Sequence, residues 1–232
     1  MSRWVLTGLR TGIVSTGYPR RDEHAPGVTP GRPRGGEVAD PAQVAARCPT
    51  GAISAAGDGV VIDRRRCVHC SACRGDVAWE ETYEWATVTD AGKKFTRPFR
   101  GSLHVFVVDA GSCGACLSEV RKLNNPYYNM HRLGFFITPT PRNADLMLVL
   151  GPVTAHMRRA LRVAYDAMPE PKRVIAVGTC AASGGVFGPS FAADGGAAGT
   201  VPVDVVIPGC PPPPLAVLHG LLVAAGRKEG RQ

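Results

Sequence analysis

Eight cysteines constrain this 232-residue chain more than any other feature. They stand as Cys48, a tight run Cys67-x₂-Cys70-x₂-Cys73, a pair Cys113-x₂-Cys116, and two singletons, Cys180 and Cys210. Stable disulfides are rare in reducing compartments, where so many thiols are better explained by metal. The sequence favours such a compartment. No run approaches the ~18 apolar residues that cross a bilayer. The Arg20-Arg21 pair is followed by charged, Pro/Gly-rich text and not by an apolar stretch, which argues against an export signal. A cytoplasmic protein is expected.

From Leu103 onward the pattern alternates between β and α. Short apolar runs at 103–108, 145–151, 173–178 and 203–209 suit strands of a buried parallel sheet. Between the second and third, Met157, Ala160, Leu161, Ala164 and Met168 share one helical face, with Thr154 as N-cap and Pro169 as terminator. A last helix is expected over 214–225. The predicted fold is α/β: a doubly wound, flavodoxin-like parallel sheet, preceded by a small ferredoxin-like module.

In that arrangement Cys113 and Cys116 follow the first strand, Cys180 the third and Cys210 the fourth. The carboxyl ends of parallel strands form one edge, where ligands bind at the switch point. Four thiols spread over about a hundred residues would thereby converge. A zinc Cys₄ site is the competing reading, but structural zinc favours two tight knuckles in a small domain. A single CxxC with ligands from separate strand ends points instead to a [4Fe–4S] cluster.

The first half is read by subtraction. In two-cluster ferredoxins each CxxCxxCxxxCP run gives three ligands to one cluster and its last to the other. If Cys48 closes a first run, the partners of its run fall on Val38, Pro41 and Val44, and the last ligand of the second run falls on Val77. One whole ligand set is absent and the other is intact: Cys48, Cys67, Cys70 and Cys73. So small a segment needs a metal staple. The cysteines thus divide into two complete fours, implying two [4Fe–4S] clusters. The expected organisation is an N-terminal segment and linker (1–40), a single-cluster module (41–90) and the α/β domain (99–226). Val5, Leu9 and Ile13 near the N-terminus suit a short amphipathic helix, docked on a partner, on a membrane or on its own chain.

These residues carry a resemblance. The text "VDAGSCGACLSEV…TPTPRNADLMLVLG…VGTCAASGG…IPGCPPPP" resembles the small subunit of group 4 [NiFe] hydrogenases, including formate hydrogenlyase. That family is homologous to the cluster-bearing B-type subunit of respiratory complex I (NADH-quinone oxidoreductase). The stretch "GLRTGIVSTGYP" with "CPTGAI…CVHCSAC" is similar to the ferredoxin-like subunit of the same complexes, less one cluster, so the chain reads as a fusion. The resemblance implies an electron-transfer subunit of a membrane-associated oxidoreductase. The catalytic metal would lie on a hydrogenase-like large subunit, next to the Cys113/Cys116/Cys180/Cys210 cluster. Membrane-embedded subunits would hold the chain on the inner face of the membrane, and a further ferredoxin-type carrier would meet the other cluster. It also implies that Glu119 is a candidate proton relay and that Arg142 faces the cluster edge or the large subunit. The alternative is a complex I-like module whose partner lacks nickel.

A third class, a zinc-stabilised scaffold or nucleic-acid adaptor, draws on the net charge of +8. The basic residues are scattered, however, and two cluster–thiolate units would together contribute about −4, so no nucleic-acid partner is expected. His69, inside the ferredoxin-type loop, would be a surplus ligand for a filled site and is read as a tuning or neutral residue.

Overall fold

The structure is a computed structural model that describes residues 3–25, 27–89 and 101–230. The boundary expected near 91–101, and with it the first residues of the segment expected to begin at 99, lies outside the described residues apart from Gly101.

Strands β7 (Leu103–Asp109), β8 (Phe135–Ile137), β9 (Leu146–Leu150), β10 (Arg173–Val177) and β11 (Val205–Ile207) form a parallel sheet in the order β8-β7-β9-β10-β11. Counted from β7 this is 2-1-3-4-5, the flavodoxin-like winding, with its switch point between β7 and the strands flanking it. Four of these strands coincide with the predicted runs. β8, three residues in "GFFITP", is too short for a pattern to mark. The strands alternate as the pleat demands. Leu146, Leu148 and Leu150 face one apolar layer with α6 (Pro214–Ala224); Met147 and Val149 face the other with Leu161 of α4 (Ala155–Asp166). Every residue of α6 is buried, whereas α4 buries Leu161 alone and leaves Ala160 and Val163 exposed.

The first half adds to this sheet. β6 (Thr87–Val88) pairs antiparallel with β11, and Tyr83, Trp85 and Ala86 join the same core as α6. His219 of α6, completely buried, accepts the Ala86 N–H at Nδ1 (3.2 Å). The stretch read as a linker is tied down as well. Tyr18 is fully buried, meets Tyr83 edge-on at 5.1 Å and donates its hydroxyl to Glu84, while the Thr16 N–H bonds Tyr127 O at 2.8 Å.

Between these lies a small body. β2 (Gly36–Glu37), β4 (Gly59–Ile62) and β3 (Ile53–Ala56) make an antiparallel sheet beside α2 (Pro41–Ala46), whose N-cap Asp40 accepts from Gln43 N at 2.9 Å. β1 (Arg32–Pro33) pairs with β5 (Trp79–Glu80). The small core is Val44, Ile53, Val60 and Val77, with Val38 packed against it. Three of the four positions where a second ferredoxin cluster's ligands would stand have thus become apolar core, and Pro41 begins α2.

At the N-terminus, α1 (Arg3–Thr11) forms as expected and buries none of its residues. Trp4, Leu6 and Leu9 stand exposed, which removes the reading of a tail packed on its own chain. The helix stops at Thr11, so Ile13 lies beyond it.

Candidate metal centres

All eight cysteines are free thiols, and the structure places them in two groups. Cys48 sits on the turn after α2, between Thr50 and the Val44 core. Cys67, Cys70 and Cys73 follow on a loop that bends through positive φ at His69 and Ser71. All four line one apolar cleft. Burial pushes the Cys67 thiol up to about 11, and the charges of Cys73, Cys48 and Cys70 add to it. Cys48 is different: burial raises it, but N–H groups of Thr50, Ala52 and Ile53 outweigh that and leave it lowered. The Ala52 N–H lies 3.2 Å from its sulfur. Backbone donors aimed at a sulfur favour thiolate, the form a metal binds.

The second group occupies the carboxyl edge of the large sheet. After β7, Asp109 accepts the N–H groups of Gly111 and Ser112 (3.1 and 2.7 Å) and shapes the turn that carries Cys113. Cys116 is buried one turn later in α3 (Ala115–Lys122). Cys180 rides on α5 (Thr179–Ser183) directly after β10, and Cys210 on the turn after β11. Burial pushes the Cys116 thiol up to about 12, and Cys180, Cys210 and Cys113 reinforce the shift in that order. Cys180 is likewise raised by burial, then by Cys210 and Cys113, and Cys210 by burial, then by Cys113. No sulfur of one group figures in the shifts of the other. Two glycines keep the edge open for sulfur. A Cβ on Gly178 would lie 2.6 Å from Cys116 Sγ, and one on Gly185 would lie 2.8 Å from Cys180 Sγ.

Among the described residues no three His, Cys, Asp or Glu side chains converge tightly enough for one metal ion. A zinc site gathers its sulfurs to ~2.3 Å from one centre. Four thiol donors in each group, with a backbone N–H aimed at Cys48 Sγ and glycine space beside Cys116 and Cys180 Sγ, form a donor set that fits an iron–sulfur cluster.

The other candidates fall out differently. Glu119 pairs with Lys122 at 2.6 Å, one turn along α3. Arg142 is exposed on the short turn Pro141–Asn143 between β8 and β9. His69 stacks on Trp85 with ring centroids 4.0 Å apart, and burial, helped by Arg32, lowers it to about 4. It is a neutral ring wedged against an indole at neutral pH. Trp85, Thr179, Arg65 and Ser183, all at the seam between the two groups, have no motif to announce them and are missed by sequence reasoning.

Residues 113–224 match the family described as NADH ubiquinone oxidoreductase, 20 Kd subunit. A probable membrane-bound hydrogenase subunit of Pyrococcus furiosus is 42% identical over 120 residues, which are 52% of this chain and 72% of that protein. The chain belongs to this family. Within it, formate hydrogenlyase subunit 7 of Escherichia coli is 40% identical over 133 residues, 57% of this chain. The chain spans only about half, 52%, of that relative's length. A chain of an archaeal membrane-bound sulfane sulfur reductase aligns with TM-score 0.49 and 30% identity, covering 57% of this chain and 76% of that one. All of Cys113, Cys116, Cys180 and Cys210 lie inside the family match, whereas the Cys48–Cys73 group lies before it.

Proposed function

We propose that this chain is the electron-transfer subunit of a membrane-associated, [NiFe]-hydrogenase-like complex of the formate hydrogenlyase type, with a reduced ferredoxin-like module fused to its N-terminus. The observation that carries the reading is the division of eight free thiols into two separate fours. Each [4Fe–4S] cluster, when bound, takes up and releases one electron. The protein's own part is to position them. Cys113, Cys116, Cys180 and Cys210 would hold one at the sheet edge, where Cys113 and Cys210 are exposed toward a large subunit. Cys48, Cys67, Cys70 and Cys73 would hold the other, with exposed Cys70 turned toward the next carrier.

Membrane association through partner subunits is supported by the hydrogenase relative's name. No helix among the described residues is long and apolar enough to cross a membrane. The family description itself favours a second reading, a complex I-like module whose partner reduces a quinone or another acceptor. The large subunit encoded alongside decides between them: two retained CxxC pairs mean a nickel site.

The test is anaerobic purification with iron and sulfide analysis and EPR of the reduced protein. We expect about eight irons and two signals, in line with two four-iron units. Cys180→Ala is expected to remove one signal and leave the other. Loss of both together would refute the division into two sites.

A further inference from the structure

Thr179 precedes Cys180 and is fully buried at the seam between the two cysteine groups. Its hydroxyl is used twice. Oγ1 donates to the carbonyl oxygen of Cys67 at 2.9 Å and accepts the N–H of Gly209 at 3.0 Å. One side chain thus grips the backbone of a cysteine in the small module, is bonded to a cysteine at the sheet edge, and holds the residue before a third, Cys210. A hydroxyl offers both a donor and acceptor lone pairs, and a β-branched side chain holds it in few rotamers. Valine would match the shape and make neither bond.

Docking alone does not need Thr179. The same seam is held by Ser183, whose Oγ donates to Arg65 O at 2.9 Å, and by the Arg65 guanidinium, which reaches Ala182 O at 3.4 Å. What Thr179 adds is continuity. From Cys67 Sγ through its own carbonyl to Thr179, and along the main chain to Cys180 Sγ, every link is covalent except one hydrogen bond. A second such bond opens the branch through Gly209 to Cys210. Electronic coupling decays more slowly along bonded links than across an unbonded gap, and this hydroxyl supplies such a bonded link between the groups.

We propose that Thr179 is the positioning residue for electron exchange between the two cysteine groups, its hydroxyl joining Cys67 to Cys180 and Cys210; this rests on the electron-transfer reading above. The exchange is a one-electron event. The site that gives is oxidised by one electron, the site that receives is reduced by one, and no bond is made and no proton moved.

The test uses anaerobic holoprotein. Iron content and cluster potentials are measured first, then the rate at which an electron placed on one cluster by a photoreductant appears on the other. Thr179→Val is expected to keep both clusters and potentials and to slow the exchange several-fold, while Thr179→Ser keeps it near wild type. Ser183→Ala, which removes a docking bond but not the bridge, is expected to leave the rate unchanged. An unaltered rate in Thr179→Val would overturn the proposal and favour the His69–Trp85 stack as the route; equal slowing in Ser183→Ala would overturn it in favour of docking. Should Thr179→Val fail to fold, the Gly209 N–H decides: slow deuterium exchange in wild-type protein supports the bridge, and exchange at the rate of a free amide refutes it. Iron for only one cluster in wild-type protein would refute the functional reading, and the bridge with it.

Discussion

The two cysteine groups are assembled by opposite means. In the small module three of the four cysteines come from seven consecutive residues, and the body around them rests on a core of Val44, Ile53, Val60 and Val77. At the sheet edge the cysteines are scattered from Cys113 to Cys210, and strand order brings them together on a sheet with two full apolar layers. The contrast teaches where stability resides. On the proposed reading, a core so small makes folding depend on the metal, because a preformed site rarely exists in the unfolded chain. The large sheet has a core sufficient to stand without one. The valines sharpen the point: where a two-cluster ferredoxin would carry ligands of a second cluster, Val38, Val44 and Val77 supply apolar contacts.

The largest expected effect separates the two regions outright. Stripping iron with a chelator, or replacing Cys48 by Ala, is expected to unfold the small module while the α/β sheet persists. Hydrogen exchange read by mass spectrometry would show deuterium entering 36–80 far faster than 103–109 and 146–150. Equal protection in both would break the comparison.

Next in size is a change confined to the sheet. Leu148 is 1% exposed in the centre of β9. Leu148→Ala is expected to cost about 2–5 kcal/mol by leaving a cavity, lowering the melting temperature of the α/β part. The Cys48–Cys73 signal should survive at temperatures where the sheet still holds. If that signal goes first, the small module leans on the sheet more than its own core implies.

The smallest effect concerns acid. Arg158 of α4 and Asp194 form a two-pronged ion pair, with Arg158 Nε 2.8 Å from Asp194 Oδ2. Hydrogen bonding from Arg158, then from Thr200, holds the Asp194 carboxyl below its ordinary value despite slight desolvation. A lowered carboxyl stabilises the fold above its unfolded value, ~3.9, and that stability is lost as pH falls through the lowered folded value. The pair is exposed, so the contribution is small and screened. Asp194→Asn is expected to flatten the acid side of the stability curve of the sheet region below about pH 4, without altering the small module's response. Titration followed by circular dichroism at low salt is the check, and an unchanged acid limb would remove Asp194 from the account.

The sequence by itself marked most elements of the α/β part and set out the eight cysteines. Short apolar runs marked four of the five parallel strands, helical spacing marked α4, and cysteine spacing singled out the Cys67–Cys73 run and the Cys113/Cys116 pair, because these are encoded within a few neighbouring residues. What it did not reveal depends on pieces far apart in the chain. Tyr18 buried against Tyr83, β6 added to β11, His69 stacked on Trp85 and the valine core of the small module follow from how finished elements pack. Thr179 bonds Cys67 across 112 positions. No local pattern fixes such a contact, since it exists only once a winding order has set the end of β10 against a loop of another module.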